Sequence, residues 1–298
     1  MLSVEKIKRT FGFILNHPLG KKHPFKAFLR FLGWQLQSSI QPSKLWVKPF
    51  IGNVNFYARK GLTGITGNIY TGLHEFEDMA FLLHFLTAQD VFFDIGANAG
   101  SYTLLASGVS NAKTITIEAS STTAILTAKN IELNRLQNKA TLIHAAAGAR
   151  TGQLSFSKNE DTTNHVVLDD EKADAEMINV ITVDSLTADD CPSLIKIDVE
   201  GFETEVLKGM NETLKQPTLK AIIIELNGSG SRYGFNEEDI HQTLVSSGFT
   251  PYRYDPFTRG LNLIPSFGHY NTIYCRDIDF ILLRLKSTPK FTALGEKI

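Results

Sequence analysis

The chain has 298 residues, of which 43% are hydrophobic and 20% charged, and this balance is ordinary for a globular protein with a substantial core. Its two cysteines, Cys191 and Cys275, form no disulfide framework, and no apolar run reaches the ~20 residues of a membrane-spanning helix. The N-terminus also lacks the apolar core of a signal peptide, so these features exclude a disulfide-stapled secreted domain and favour a cytoplasmic protein.

The net charge of −1 is distributed unevenly along the chain. Residues 1–48 contain nine Lys or Arg and one acidic residue, whereas the rest of the chain contains 21 basic and 30 acidic residues. We expect the aromatic residues of this basic arm to pack on the body of the protein. The alternative is peripheral contact of residues 1–44 with an anionic membrane. Because phosphate binding needs a basic surface around the pocket, the acidic body argues against a nucleic-acid substrate.

The N-terminal quarter of the chain is predicted to contain short elements. One or two helices, broken around Pro18 and Pro24, are expected within the basic arm. Residues 45–72 alternate in polarity and favour two or three short strands. Apolar residues at helical spacing then predict a helix over residues 75–87.

From residue 91 onwards, strands alternate with helices. The predicted strands are nearly continuously apolar and cover residues 91–96, 113–119, 140–148, 194–198 and 221–226. Helices are expected after Gly100, Ser120 and Asn236. This alternation predicts a mostly parallel sheet covered by helices on both faces, in a Rossmann-like α/β domain. Residues 250–255 and 271–277 have no helix between them, so they predict a hairpin with an antiparallel edge strand.

The polar stretch of residues 155–176 interrupts this alternation and is mostly acidic. It contains His165, and it can fold over a pocket as a lid. His165 is therefore one candidate for the group that removes a proton from a substrate. A histidine in a loop is more often a solvated surface residue, and that alternative stays open here.

The first motif that carries chemistry is FFDIGANAGSY, residues 92–102. Asp94 ends a strand, Gly96 permits a tight turn, and Gly100 lets the next helix begin close to the sheet, in the crevice where such folds bind ligands. The spacing is not the G-x-G-x-x-G of a pyrophosphate site, and an acid before the turn would repel a pyrophosphate. Asp94 suits a ligand with an ammonium group, such as the methionine end of S-adenosylmethionine.

The second motif is Glu118, which ends the next strand 18 residues after Gly100. A carboxylate in this position can accept two hydrogen bonds from a ribose diol. Glu118 together with the glycine turn also fits an NAD(P)-dependent oxidoreductase. A further alternative is a non-catalytic module that keeps the fold for cofactor binding.

The third motif is LIKIDVEGFETEVLKGM, residues 194–210. Asp198 ends a strand at the mouth of the sheet, and Glu200 lies in the turn before the next helix. Either carboxylate can hold a substrate hydroxyl and act as its base, with Glu225 as a further candidate. Glu200 can equally serve only to favour the start of the helix. No ligand spacing in the chain demands a metal, and we expect none; Mg²⁺ at Asp198 and the neighbouring acids is the alternative.

These motifs resemble the FkbM family of methyltransferases. The resemblance rests on DIGANAGSYT after an upstream Glu75, on IEA at 117–119, on VITVDSL at 180–186, on IKIDVEGFETEVLKG and on IIIEL. It covers about residues 70–286 and implies S-adenosylmethionine as methyl donor and a hydroxyl acceptor on a sugar, polyketide or related small metabolite. It places Asp198 and Glu200 at the mouth of the active site. The positions that it assigns to the cofactor are Glu75, Asp94, Gly96, Asn98, Gly100, Tyr102, Glu118 and Ala119.

The resemblance also implies the fold of class I methyltransferases. We therefore expect a mostly parallel seven-stranded sheet with an antiparallel edge strand. The expected division of the chain is a basic extension of helices and short strands over residues 1–72, a methyltransferase domain over 73–286 and a tail over 287–298.

Overall fold

The computed structural model describes residues 4–158, 163–168, 174–188, 190–268 and 270–298. The basic arm forms three helices, because Pro18 and Pro24 each begin a new one, as expected of a residue that is favoured in the first turn of a helix. The predicted breaks are confirmed, with one helix more than expected. The three helices are α1 (Val4–Asn16), α2 (Pro18–Lys22) and α3 (Pro24–Ile40).

The segment after the arm is partly different from its prediction. Strands β1 (Trp46–Pro49) and β2 (Asn55–Ala58) pair as an antiparallel hairpin, as expected. The residues after them form helix α4 (Thr63–Thr71) instead of a third strand, because Ile65 and Ile69 lie one helical turn apart. Helix α5 (Phe76–Phe85) confirms the next predicted helix.

The rest of the chain contains strands and helices that alternate in part. A single π-helical turn (Leu105–Val109) continues helix α6 (Ser101–Leu104), and 3₁₀ turns occupy Val183–Leu186 and Ser229–Tyr233. The elements in chain order are β3 (Val91–Ile95), α6 (Ser101–Leu104), β4 (Lys113–Glu118), α7 (Ser121–Leu133), β5 (Ala140–His144), β6 (Ala146–Ala147), β7 (Gly152–Ser157), β8 (Ala175–Ile181), β9 (Leu194–Ile197), α8 (Glu203–Lys208), α9 (Asn211–Lys215), β10 (Ala221–Glu225), α10 (Glu237–Ser246), β11 (Thr250–Asp255), β12 (Gly260–Leu263), β13 (Asn271–Cys275), α11 (Ile278–Ser287), β14 (Thr292–Ala293) and β15 (Glu296–Lys297).

The central sheet has the strand order β12-β11-β13-β10-β9-β3-β4-β5. Strands β5, β4, β3, β9 and β10 are parallel, whereas β13 runs antiparallel between β10 and β11. The Rossmann-like α/β fold is thus confirmed, with two refinements. The sheet has eight strands where seven were expected, because part of the polar loop after β11 pairs with it as β12. The predicted hairpin partner β13 lies inside the sheet, and β12 forms the edge.

Side chains of the central strands alternate between two buried layers. Phe93, Ile195 and Ile222 pack on one face with residues of α8 and α10. Phe92 and Leu194 pack on the other face with residues of α5 and α11. Burial of both faces explains why these strands are nearly continuously apolar.

The basic arm and the C-terminal tail share this core. Leu19 of the arm and Ile298 at the end of the chain belong to the same buried cluster as Phe92. Phe31 and Trp34 of α3 are each only 4% exposed and pack with Phe56 of β2, which confirms core packing for these arm aromatics. Buried clusters therefore cross both expected boundaries, and the division at 72 and 286 stays a prediction.

The polar insertion lies between two strands of a separate small sheet. Strands β7 and β8 pair as an antiparallel hairpin, and β6 pairs with β8. Residues 159–162 and 169–173 of the predicted insertion lie outside the described residues. Among the described residues, no helix is both long enough and apolar enough to span a membrane.

Candidate active site

A cavity of about 950 Å³ opens at the carboxyl ends of β3, β4, β9 and β10. The parallel register places Asp94 of β3 directly beside Lys196 of β9, and Glu225 two residues beyond the neighbour of Lys196 on β10. Because side chains two residues apart point to the same face of a strand, these three groups share one face of the sheet. The three charged side chains therefore lie together at the carboxyl edge of the sheet, where the cavity opens.

The turn after β3 requires its glycines. Gly96 and Gly100 have φ angles of 80° and 81°, a backbone conformation that side chains disfavour. A Cβ atom on Gly96 would lie 1.7 Å from the carbonyl oxygen of Asp198. The turn after β3 and the loop after β9 are therefore in direct backbone contact.

Asp94 holds the start of the following helix. Its Oδ2 accepts hydrogen bonds from the backbone N–H of Thr103 at 2.9 Å and from the Thr103 hydroxyl at 2.6 Å. Burial raises the pKa of Asp94 to about 6, against the opposing effect of these hydrogen bonds. The carboxyl group also lines the cavity, so it can serve the turn and a cationic ligand together.

Glu118 connects the glycine turn to the end of β4. Its Oε2 accepts the backbone N–H of Asn98 at 2.6 Å, and its Oε1 accepts the backbone N–H of Ser120 and the hydroxyl of Thr123. Burial raises the pKa of Glu118 to about 7. Ala119 follows it along the cavity wall. Glu118 therefore lies where the second strand was expected to present a ribose-binding acid, and it already stabilises the turn.

Glu75 and Tyr102, which the resemblance assigned to the cofactor, are bonded to each other. The Tyr102 hydroxyl donates to Glu75 Oε2 at 2.6 Å. Burial alone would raise the pKa of Glu75, but the charges of Lys196 and His74 and the Tyr102 bond outweigh burial and hold the pKa below its ordinary value. Both side chains line the cavity.

Lys196 is the central cation of the site, and sequence reasoning missed it. Its side chain is 3% exposed, its Nζ lies 2.6 Å from Asp198 Oδ2, and it lies 4.9 Å from the centre of the Tyr102 ring. Burial opposes the charged form, but Asp198 and Glu75 outweigh it and raise the pKa of Lys196 above its ordinary value. A lysine in an otherwise apolar strand was the available signal, since a buried ammonium needs an acidic partner.

Three carboxylates meet beside this cation. Oxygen atoms of Asp198, Glu200 and Glu225 lie within 4.8 Å of one another. Burial, followed by the charge of Asp198, raises the pKa of Glu200 to about 8 and also raises the pKa of Glu225. Such a cluster can accept a proton from a hydroxyl, and three carboxylates can also hold a divalent cation. The expectation that no metal is required stays a prediction.

The structure does not bring His165 to this cluster. The His165 side chain is 3% exposed, and its Nδ1 lies 2.9 Å from the carbonyl oxygen of Thr163. Thr163, Asn164 and Val166 line the cavity, whereas His165 does not. The described part of the insertion thus borders the pocket, and the role of His165 as a base is left without geometric support.

The basic arm supplies one wall of the cavity, which the sequence did not reveal. Arg9 and Phe13 of α1 and Trp34 of α3 line the cavity together with Asp94 and Asp198. Contacts between residues so far apart in the chain depend on tertiary packing, and a local sequence pattern does not predict them.

Comparisons with known proteins agree with the motifs. A family model described as the methyltransferase FkbM domain matches residues 94–251, which is more than half of the chain. A comparison with curated proteins gave no match.

Several solved structures are similar in part. The crystal structure of methyltransferase FkbM from Methylobacillus flagellatus KT is 18% identical, with a TM-score of 0.45 over 71% of this chain and 52% of that one. The chain thus spans about half the length of that protein. Precorrin-6y C5,15-methyltransferase from Geobacter metallireducens GS-15 is 13% identical, with a TM-score of 0.42 over 74% of this chain and 94% of that one. M. jannaschii TYW2, solved in complex with AdoMet, is 13% identical, with a TM-score of 0.41 over 78% and 84%.

Proposed function

Because the chain belongs to the FkbM methyltransferase family, we propose that it is an S-adenosylmethionine-dependent O-methyltransferase. Its acceptor in this proposal is a hydroxyl group on a sugar, a polyketide or a related small metabolite. The observation that carries the proposal is one cavity, which joins the glycine turn and Glu118 to the carboxylates of Asp198, Glu200 and Glu225.

The residues around the glycine turn fit the proposed cofactor. Asp94 and Glu118 end neighbouring parallel strands and line the same cavity, with the backbone of residues 96–100 between them. Asp94 would pair with the ammonium group, and Glu118 would accept hydrogen bonds from the ribose hydroxyls. A volume of about 950 Å³ leaves room for an acceptor beside the cofactor, since ligand pockets usually span about 300–1,000 Å³.

The proposed chemistry is an in-line displacement. Asp94, Glu118 and the glycine turn would hold the cofactor, which would supply a methyl group from a sulfonium, with the carbon–sulfur electron pair staying on sulfur. Asp198 takes the proton of the acceptor hydroxyl, and the hydroxyl oxygen forms the new bond to carbon. Lys196 holds Asp198 in place through their ion pair. Alignment of oxygen, carbon and sulfur contributes much of the rate enhancement.

Cofactor binding is tested by calorimetry. The protein should bind S-adenosylhomocysteine and should not bind NAD, because Asp94 would repel a pyrophosphate. Glu118→Ala should weaken the affinity for S-adenosylhomocysteine by about 1.5–3 kcal/mol, the scale of hydrogen bonds to a charged group. Glu212→Ala, which removes an exposed acid on α9, is the control. Binding of NAD in place of S-adenosylhomocysteine would turn the proposal towards an oxidoreductase.

Methyl transfer is tested with a metabolite extract and a methyl-labelled donor. Mass spectrometry should find labelled O-methyl products that depend on the protein. Tight binding of S-adenosylhomocysteine without any labelled product from extracts rich in sugars and polyketides would favour a non-catalytic cofactor-binding module.

A further inference from the structure

Helix α3 has two apolar faces, and only one of them is buried. Its inner face carries Phe31 and Trp34, which pack into the core. The opposite face, one continuous stripe along the whole helix, consists of apolar side chains that are between 36% and 78% exposed. We call this face the α3 stripe, and its residues are Phe25, Phe28, Leu29, Leu32, Leu36 and Ile40.

The size of the α3 stripe distinguishes it from scattered exposed residues. Positions 25, 28/29, 32, 36 and 40 repeat every three to four residues, so they face one direction over about 22 Å of helix. A continuous exposed apolar face of this kind usually marks a surface that binds a protein or a membrane. No core requirement explains it, because the inner face already anchors the helix.

Cations border the α3 stripe along its length. Lys26 lies on its flank within α3 and is exposed. Lys48 of β1 donates a hydrogen bond to the Gln37 side chain, and Lys60 donates to the Ser39 hydroxyl at 3.3 Å. These contacts hold two ammonium groups beside the apolar side chains, and Lys26 provides a third.

Acidic residues are absent from this part of the sequence. Residues 6–74 contain eleven Lys or Arg and no Asp or Glu, although the chain as a whole has 31 acidic residues. One acid from elsewhere in the chain, Glu296, pairs with Lys22 and His23 at the start of α3. Within the described residues, the three lysines beside the α3 stripe form no ion pair with an acid. A surface bordered by these lysines attracts the anionic headgroups of a charged membrane.

We propose that the α3 stripe docks on an anionic lipid bilayer, with Phe25, Leu36 and Ile40 entering the interface and the flanking lysines contacting headgroups. An apolar face with a basic border is the composition of helices that lie in a membrane interface. A second copy of the chain fits the surface less well. A two-fold contact through one convex helix would bring the same cations of both copies together without an opposing charge.

The experiment is flotation of the full-length protein with vesicles of phosphatidylcholine alone or mixed with phosphatidylserine. The protein should float with the mixed vesicles only, and added salt should release it. Phe25→Ser/Leu36→Ser/Ile40→Ser should reduce the vesicle-bound fraction about tenfold or more, because it removes the apolar contacts. Lys26→Glu/Lys60→Glu should reduce it similarly by reversing two charges.

Two controls separate docking from misfolding and from dimerisation. Leu263→Ser/Leu283→Ser removes side chains that are 66% and 71% exposed on β12 and α11, and it should float like the parent protein. Thermal melting should show that all variants fold. The proposal is overturned if the parent protein ignores phosphatidylserine or if the triple serine variant floats unchanged. It is also overturned if light scattering shows that the parent protein is a dimer and the triple serine variant is a monomer. None of these measurements involves methyl transfer, so their outcome is independent of the proposed function.

Discussion

Asp198 is the residue on which the proposed chemistry depends most. Asp198→Asn keeps the shape of the side chain and removes its charge, so it should leave donor binding nearly intact and lower turnover about 10²–10⁴-fold, the usual span for a general base. The assay is turnover at saturating donor, with Glu205→Gln as control because Glu205 pairs with Lys208 on the surface of α8. Near-normal turnover in Asp198→Asn would move the role of base to Glu200 or Glu225.

Glu200 makes stability depend on pH. Its folded pKa of about 8 lies above the ordinary 4.5, so folding takes up a proton between these values, and stability falls as pH rises through that window. Glu200→Gln removes this loss. The difference in melting temperature between Glu200→Gln and the parent protein should therefore increase in favour of the variant as pH rises from 4.5 to about 8. Above that pH the difference should stay constant. A difference independent of pH would show that Glu200 is not held protonated, and Glu212→Gln controls for loss of an exposed carboxyl.

At the scale of single residues, the positions of the acidic side chains could be predicted from the sequence, whereas most of their partners could not. The carboxyl ends of parallel strands meet at one edge of a sheet, so the proximity of Asp94, Glu118 and Asp198 could be predicted from chain order. The pairing of Lys196 with Asp198 could also have been predicted, because side chains two residues apart point to the same face of a strand. The interaction of Lys196 with Glu75 could not, because it depends on how α5 packs against the sheet. His165 shows the converse, since its chemistry suggested a role that its buried position does not support.

At the scale of elements, the contact between the glycine turn and the loop after β9 is directly testable. Gly96→Ala places a Cβ against the Asp198 carbonyl oxygen, in addition to the cost of its φ angle. Gly96→Ala should lower the free energy of unfolding by clearly more than the roughly 1–3 kcal/mol expected for the backbone conformation alone. Gly248→Ala is the matched control, because Gly248 has a φ of 86° with open space around it. If urea unfolding shows equal losses of unfolding free energy in Gly96→Ala and Gly248→Ala, the turn can move away from the loop after β9.

The elements themselves follow from the sequence where hydrophobic periodicity is strong. The central strands and the helices capped by Ser120 and Asn236 have the expected positions, and both caps accept a backbone N–H. Strand β12 and helix α4 were not foreseen, because a four-residue edge strand and a glycine-rich helix carry weak local signals. Helix α4 packs on α3, and β12 pairs with β11, from which only a short turn separates it.

At the scale of the whole molecule, the arm belongs to the fold. Deleting residues 1–44 removes Phe31 and Trp34, side chains whose loss typically costs about 3–5 kcal/mol each, and uncovers Phe56. The truncated protein should be insoluble or should melt well below the full-length chain, as judged by soluble yield and circular dichroism. The triple serine variant of the α3 stripe is the control, because it changes only exposed side chains and should melt like the parent protein. A soluble truncated protein with an unchanged melting temperature would contradict the packing of the arm.

The wall that α1 and α3 contribute to the cavity has a consequence for how this protein can be divided. The family signature begins at residue 94, but residues that enclose the pocket begin at Arg9 and include Glu75. A fragment cut at the signature would keep the residues of the glycine turn and all three clustered carboxylates, but it would lose the residues of α1 and α3 that enclose the pocket. If the proposed function holds, the minimal catalytic unit is larger than the module by which the family is detected. We then expect chimeras that exchange only that module to take part of their pocket wall from the host's own N-terminal helices.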